Sequence, residues 1–308
     1  MKPSTFLTSL EPVSVESKEE VEEVDYKDQV ITYTWCECGE NHHGNQQIGK
    51  IAESGNGFMR EDLNAAKLFA ETNYSCETEM FNLKMGLVDD SGNRLVIKNK
   101  KNEVVKVNSA HFLIIRNFIP NILKKNNLTM GDLMTEVNTK YWDTKYWDTR
   151  RQKVLNKHAR KNNCIAEIGQ IADYEKGMGT IHSFDSMPIM NLLRNEFKKI
   201  GEKFNFACGE GNLYEDGGKK KNGIGWHGDS ERRRVMSMRL GLNPSMPFYY
   251  RWKYRHKEIG KIMKWDINAG DVMVMSEWAV GTEWKSSSKV TLVHATGANK
   301  YVKPKSEK

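Results

Sequence analysis

The chain has 308 residues, of which 38% are hydrophobic and 28% charged, and a formal net charge of +7 at pH 7. This composition is typical of a globular protein with a proper core, and the length allows one large domain or two. Because no apolar run approaches the roughly 18 to 20 residues of a membrane span, and no apolar N-terminal segment resembles a secretory signal, we expect an intracellular protein, neither secreted nor membrane-bound.

Charge is distributed unevenly. Residues 1–30 hold eight acidic and three basic side chains and predict a solvated, disordered acidic tail. Their net charge of −5 leaves +12 on the rest of the chain, since the total is +7. Basic clusters favour anionic partners, nucleic acid first among them, although a lysine-rich surface without such a partner is the alternative. The clusters are "RRQKVLNKHARK" (150–161), Lys219–Lys221, Arg232–Arg234 and "RWKYRHK" (251–257).

The five cysteines are odd in number and widely spaced, which predicts free thiols rather than a disulfide framework. Cys36 and Cys38, followed by His42 and His43, invite a zinc interpretation. Because Cys-x-Cys is not the usual zinc spacing and no second cysteine pair follows nearby, an ordinary folded turn is favoured.

Residues 31–135 are predicted to form an N-terminal α+β subdomain. In this part, "FMREDLNAAKLFAETN" (58–73) has apolar residues at helical spacing, and "RLVIKNKKNEVVKVN" (94–108) is typical of a hairpin. The apolar run "HFLIIRNFIPNIL" (111–123) is closed by Pro120.

Residues 136–308 are predicted to form the main domain. The pentapeptide "KYWDT" occurs twice, at 140–149, which indicates a local duplication because five residues is far below a solenoid period. An amphipathic helix is predicted over 186–204, and seven short β-rich segments with turn signals follow it. The expected fold class is α+β, with a double-stranded β-helix core (jelly-roll, cupin-like), flanking helices and the N-terminal α+β extension. The seven segments are 206–218, 223–231, 235–242, 247–254, 262–267, 270–276 and 289–297.

The segment "GIGWHGDSE" places His227 and Asp229 two residues apart, so an extended backbone points both side chains to the same side. A jelly roll brings distant strands together at its mouth, and His294 in "KVTLVHATG" is the candidate third ligand. Two histidines and one carboxylate make a facial triad that leaves positions open on iron(II) for a co-substrate and molecular oxygen. Surface or core histidines are the alternative, and for His158, His182 and His256 a structural or surface role is expected.

The stretch "NLYEDGGKKKNGIGWHGDSE" resembles the Asn-x-Tyr-x-Asp and Trp-His-x-Asp-x-Glu signature of AlkB-like iron(II)- and 2-oxoglutarate-dependent dioxygenases, and "GDVMVMSEWAVGTEWK" resembles their Gly-Asp strand. This resemblance covers roughly residues 204–301. Further matches ("ENHHGNQQIG", "NKHARKN", "HGDSERRRV", "VHATG") resemble a divergent branch of large DNA viruses and unicellular algae over most of the chain. The resemblance implies an oxidoreductase in which His227, Asp229 and His294 bind iron(II), while Asn212 and Tyr214 contact 2-oxoglutarate.

The chain departs from the AlkB-like pattern at two places. Lysine and serine follow Trp284 where that family has its distal histidine, so His294 must serve instead. No arginine follows His294, where the family anchors 2-oxoglutarate. Lys303 and, second, Lys300 are the expected anchors, in an arrangement that resembles prolyl hydroxylases. A lysine would bind the carboxylate as a point charge, without a bidentate fork.

The resemblance further implies oxidation of methyl or alkyl groups on nucleic-acid bases, with the base flipped out or single-stranded. The segments "FYYRWKYRHK" (248–257) and "KYWDTKYWDTRR" (140–151) combine cations with aromatic rings and would suit phosphate contact and stacking. Glu231 and Arg233 are candidates to orient the metal ligands, and Trp226 to support the pocket. The alternatives are a protein (prolyl-type) or small-molecule hydroxylase, and a non-catalytic nucleic-acid-binding module.

Overall fold

A computed structural model describes residues 28–42, 46–242 and 245–303. The predicted acidic tail, residues 1–30, therefore lies almost entirely outside the described residues. The described residues form five α-helices: α1 (Arg60–Tyr74), α2 (Phe118–Lys125), α3 (Met130–Asn138), α4 (Pro188–Lys198) and α5 (Glu277–Val280). They also form sixteen strands: β1 (Val30–Cys36), β2 (Cys38–His42), β3 (Gln46–Gly49), β4 (Thr78–Asn82), β5 (His111–Ile115), β6 (Lys145–Asp148), β7 (Lys153–Asn156), β8 (Lys161–Ala166), β9 (Ile181–Ser183), β10 (Cys208–Tyr214), β11 (Gly223–His227), β12 (Val235–Leu240), β13 (Ser245–Tyr254), β14 (Lys257–Asn268), β15 (Val272–Met275) and β16 (Thr291–Gly297).

The strands assemble into two main sheets. The larger has the order β4-β5-β15-β12-β1-β10-β8-β9 and is antiparallel except for the β8–β9 pair. The smaller is antiparallel throughout, in the order β11-β16-β13-β14. Two further pairs, β2–β3 and β6–β7, are hairpins. The prediction of a mixed α+β fold is confirmed, and all seven segments predicted as strands after residue 204 contain a strand.

Both faces of the larger sheet are buried. Successive side chains of a strand point to opposite sides, so each strand contributes side chains to both faces. On β1, Ile31, Tyr33 and Trp35 pack into a cluster with residues of α1 to α4. The opposite face of the sheet contacts the smaller sheet, and there the Phe112 ring stacks on Phe248 with centroids 5.6 Å apart. Each large side chain buried in these layers contributes about 1.5–3 kcal/mol.

The strand β1 lies in the middle of the larger sheet, paired antiparallel with β10 on one side and β12 on the other. Residues 31–135, predicted to be a subdomain of their own, thus share this sheet with residues 136–308 through β1, β4 and β5. The N-terminal part of the chain therefore supplies side chains to whatever lies between the two sheets.

Local predictions are met to different degrees. The helices predicted at 58–73 and 186–204 are confirmed as α1 and α4, although α4 ends at Lys198. The run 111–123 divides into β5 and α2, and Pro120 lies in the first turn of α2, where a missing N–H costs no hydrogen bond. The predicted hairpin at 94–108 forms isolated bridges, one of them between Lys98 and Val104, rather than a ladder.

Among the described residues no helix is long and apolar enough to cross a membrane.

The two copies of the pentapeptide occupy different environments. In the first copy, Trp142 and Asp143 are buried in a loop, and the Asp143 carboxylate accepts hydrogen bonds from the backbone and hydroxyl of Thr180 at 2.9 and 2.7 Å. The second copy contributes residues 145–148 to the β6–β7 hairpin. The duplication is therefore local, as predicted, and its copies are not structurally equivalent.

Candidate metal centre

His227, Asp229 and His294 converge on one point between the sheets. His227 ends β11 and pairs directly with His294 on β16, and their rings meet edge-to-face with centroids 4.4 Å apart. One Asp229 oxygen lies 3.6 Å from His227 Nε2 and the other 3.9 Å from His294 Nε2. One ligand atom from each residue lies within 4.8 Å of the others, a spacing that a metal ion could bridge. The residues predicted from sequence are thus brought together.

The electrostatics of Asp229 and His294 favour metal binding over protonation. Burial, reinforced by neighbouring His227, lowers the pKa of His294 to about 3, although Asp229 opposes this shift. Burial alone would raise the pKa of Asp229, but Arg232 and the two histidines outweigh it and hold that pKa below its ordinary value. His227 Nδ1 lies 2.8 Å from the Gly225 carbonyl oxygen, which orients Nε2 towards the centre.

A buried network of ion pairs around Arg232 supports Asp229. The Arg232 guanidinium contacts Glu231 and Glu210, the latter at 2.7 Å, and its Nε lies 3.8 Å from Asp229. Burial raises the pKa of Glu210 to about 7 against the opposing charge of Arg232. Glu231 therefore contacts the metal ligands only indirectly: it binds Arg232, and Arg232 lies beside Asp229. This arrangement is compatible with the prediction that Glu231 helps to orient the ligands.

Arg233 and Trp226 do not fill the roles predicted for them. The Arg233 guanidinium points away from the centre, to Glu277 at 3.3 Å and to the Ala52 carbonyl at 3.0 Å. Arg232 and Arg233 are adjacent in the segment between β11 and β12, yet their guanidinium groups bind different partners. The Trp226 ring lies outside the cavity, where its Nε1 donates to the Val302 carbonyl at 3.1 Å.

The triad forms part of the wall of a cavity of about 780 Å³ between the two sheets. This size is in the range of sites that bind small molecules and cofactors. Thr32 and Thr34 of β1 line it, as do Ser237 and Arg239 of β12, because alternate residues of these strands face inward. The cavity thus depends on β1, a strand that the sequence analysis assigned to the N-terminal subdomain.

Asn212 and Tyr214 both line this cavity, as the resemblance implies. The Asn212 side-chain oxygen accepts hydrogen bonds from Arg160 Nε at 2.6 Å and from Asn162 Nδ2 at 2.5 Å. Its amide nitrogen is therefore oriented away from these donors. Tyr214 is fully buried, and this burial raises the pKa of its phenol.

The basic group of the cavity that sequence reasoning missed is Arg239. Its side chain is 1% exposed, donates to the hydroxyls of Thr32 at 2.6 Å and Thr296 at 3.5 Å, and leaves Nε without a partner among the described residues. No carboxylate is in contact with it in the described part of the chain, and burial lowers its pKa only to about 10, so it stays charged at neutral pH. A buried, unpaired cation is costly unless an anion binds it.

Lys300 and Lys303, predicted as the anchors, do not reach the cavity. Both are exposed, and Lys300 Nζ lies 5.1 Å from the Tyr301 ring. The reason is local, since β16 ends at Gly297 and the chain turns into a short 3₁₀ helix at Asn299–Tyr301 on the surface. Among the described residues that line the cavity, Arg239 is a deeply buried cation without a carboxylate partner.

The segment "FYYRWKYRHK" is not a stacking surface. Phe248, Tyr250 and Trp252 point into the core between the sheets, and Tyr249, on the other face of β13, packs against Ala295.

Of the histidines given surface or structural roles, His256 is exposed in the β13–β14 turn and His182 contacts the Tyr141 carbonyl. His158 is exposed and lines the cavity. All five cysteines are buried without a disulfide, and Glu37 forms the bend between Cys36 and Cys38.

Comparison with known proteins finds a similar viral protein. No family model matches it. It is 35% identical over 277 residues to the uncharacterized protein R156 of Acanthamoeba polyphaga mimivirus, and the alignment covers 89% of this chain and 98% of the viral protein. Because the similarity extends over nearly the whole of both chains, the chain belongs to the same protein family as this mimivirus protein.

Proposed function

We propose that the protein is an iron(II)- and 2-oxoglutarate-dependent dioxygenase that oxidises methyl or alkyl groups on nucleic-acid bases. The observation that carries this proposal is the convergence of His227, Asp229 and His294 on one wall of a large cavity. Two imidazoles and one carboxylate are the ligand set of non-heme iron(II) oxygenases, in which adjacent positions stay open.

The fold supports the same proposal. We interpret β10-β1-β12-β15 and β11-β16-β13-β14 as the two layers of a double-stranded β-helix, with the ligands in the space between them. In this interpretation the N-terminal strand β1 fills a central position of the larger layer and closes the cavity. The five buried thiols are compatible with the reducing interior of a cell, where we place the protein.

The cavity residues fit 2-oxoglutarate as well as iron. His294 and Thr296 are two residues apart on β16, or about 7 Å along the strand. The Arg239 guanidinium lies beside Thr296. This separation is comparable with the length of a five-carbon dicarboxylate, roughly 5 Å between its terminal carbons. We assign Arg239, with Thr32 and Thr296, to the far carboxylate, and Asn212 and Tyr214 to its flank.

Iron(II), 2-oxoglutarate and molecular oxygen, when bound, supply C–H hydroxylation coupled to decarboxylation to succinate, and an N-hydroxymethyl product releases formaldehyde. The protein contributes geometry and charge. Burial keeps His294 neutral, the Gly225 carbonyl orients Nε2 of His227, Arg232 holds Asp229 ionised and in place, and Arg239 would bind the co-substrate. Core aromatics around the site, such as Phe248 and Tyr250 beside His294, exclude water.

The decisive experiment is anaerobic titration of the protein with iron(II) and 2-oxoglutarate, with the weak visible charge-transfer band of the chelate as the readout. Wild type should develop the band, His294→Ala should not, and His256→Ala should match wild type because that exposed histidine lies away from the cavity. A wild type without the band would rule out the proposed chemistry. A band that persists in His294→Ala would show that another residue completes the ligand set.

A further inference from the structure

Two walls of the cavity each carry an aromatic ring and a cation. One wall contains Tyr146 of β6 and Lys157, which follows β7, and the other contains Trp284 and Lys285. Neither lysine has an ion-pair partner within residues 28–42, 46–242 and 245–303, although nearby Lys161 and Lys289 are paired with carboxylates. Unpaired cations on both sides of an opening favour an anionic ligand that passes between them.

Trp284 is fixed directly beside the metal centre. Its ring packs on Gly228, the residue between the first two ligands, so closely that a Cβ at Gly228 would lie 2.8 Å from Trp284 Cδ1. Its Nε1 donates to the Ser230 hydroxyl at 3.3 Å, on the other side of Asp229. The indole remains half-buried and lines the cavity, so a planar group bound near the triad can contact it.

Two lysine ammonium groups lie over this ring. Lys285 Nζ lies 5.4 Å and Lys253 Nζ 5.8 Å from the ring centroid, near the outer limit of about 6 Å for a cation–π contact. The ring therefore holds both ammonium groups only weakly, and each can form a stronger contact with an anion. A planar π-surface with mobile cations close to it is the complement of a base attached to a phosphodiester backbone.

We infer that Trp284 stacks on the base that enters the cavity from a single-stranded polynucleotide, while Lys285 on one wall and Lys157 on the other bind the flanking phosphates. The inference rests on the proposed function for the reaction and adds the form of the substrate and the residues that hold it. Single strands are favoured because a base paired in a duplex cannot present its face to the indole. The exposed cations Lys145, Arg150, Arg151 and Lys153 of the β6–β7 hairpin extend the Lys157 wall outward.

The test measures binding of a fluorescent twelve-residue oligodeoxythymidylate by anisotropy over a series of salt concentrations. Trp284→Ala should weaken binding about 5- to 150-fold, and Trp284→Phe should retain most of it because an aromatic face remains. Lys157→Met and Lys285→Met should each reduce the slope of log affinity against log salt by about 0.7. Lys101→Met, an exposed lysine away from the cavity, is the matched control and should change neither quantity.

The iron and 2-oxoglutarate charge-transfer band, recorded on the same variants, separates this inference from the proposed function. If the band forms but oligonucleotide binding is absent, or is the same in wild type and Trp284→Ala, the inference is overturned, and a protein or small-molecule substrate becomes the better choice. If binding depends on Trp284 and both lysines but wild type gives no band, the inference stands and the dioxygenase proposal fails. Tighter binding of a duplex than of the single strand would also overturn it.

Discussion

Arg239 and Thr32 lie opposite each other across the β12–β1 pair, and Arg239 Nη1 donates a 2.6 Å hydrogen bond to the Thr32 hydroxyl. The two residues are 207 positions apart in the chain. Their contact joins the N-terminal strand to the cavity that contains the proposed metal centre. It also orients a buried cation that lacks a carboxylate partner in the described part of the chain.

Arg239→Met should abolish the preference for dicarboxylates. We expect 2-oxoglutarate affinity to fall by about 10- to 150-fold, since a charge-assisted hydrogen bond is worth about 1.5–3 kcal/mol. Affinity for 2-oxopentanoate, the same keto acid with a methyl group in place of the far carboxylate, should stay within about twofold. Calorimetric titration of both ligands, with the metal bound, measures this difference. Equal losses for the two ligands would place Arg239 outside the carboxylate site.

The triad and its anchor differ in how far sequence could predict them. His227 and Asp229 share a local segment whose alternation fixes their common direction, and the short strand around His294 made a third ligand recognisable. Arg239 has no such signal, because it sits in an apolar strand and its role depends on pairing with Thr32 at the other end of the chain. Lys303 had the expected spacing, but the turn after Gly297 removes it from the cavity.

Arg232→Met should destabilise the protein strongly. Glu210 and Glu231 would keep buried carboxylates without their cation, and breaking a buried pair in this way costs about 3–5 kcal/mol. The double variant Glu210→Gln with Arg232→Met should recover part of the loss. Urea unfolding of the metal-free protein measures both, with Arg234→Met as the control because, among the described residues, its side chain bonds only the Asn56 carbonyl. A loss below about 1 kcal/mol for Arg232→Met would show that the network is dispensable.

Gly228→Ala should damage stability and metal binding together. A Cβ there would lie 2.3 Å from the Gly281 carbonyl oxygen, a backbone atom that cannot move aside cheaply, and 2.8 Å from Trp284. Such overpacking costs about 1–3 kcal/mol and would shift both His227 and Asp229. Gly225→Ala, in the preceding strand β11, is the matched control because its Cβ would meet nothing closer than 3.8 Å. Thermal unfolding and iron titration of the two variants should therefore diverge.

The repeated pentapeptide provides its own internal comparison. Asp143→Ala removes a fully buried carboxylate that accepts from Thr180 and Tyr174, so stranded donors should cost about 2–4 kcal/mol. Asp148→Ala, the same change in the second copy, removes a bond to the Arg151 backbone on an exposed turn and should cost less than about 1 kcal/mol. Chemical denaturation of both variants tests this ordering. Similar losses would mean that the two copies are energetically equivalent despite their different environments.

Lys157 should make stability depend on pH in a direction opposite to that of a paired lysine. Burial lowers its pKa to about 8, so between about pH 8 and its ordinary pKa near 10.5 the unfolded chain binds more protons than the folded one. Stability contributed by this group therefore rises with pH through that window, and the cost of burying the charge is fully present below about pH 8.

Lys157→Met removes this cost. At about pH 7 the variant should be more stable than wild type by roughly 1–3 kcal/mol, allowing for partial exposure of the side chain, and the gain should vanish towards about pH 10.5. Urea unfolding at several pH values, with Lys101→Met as the control, measures the difference. A gain independent of pH would mean that packing of the methionine rather than relief of the buried charge is responsible. A single-stranded oligonucleotide should narrow this gain at neutral pH, because the variant lacks one phosphate contact and is stabilised less than wild type.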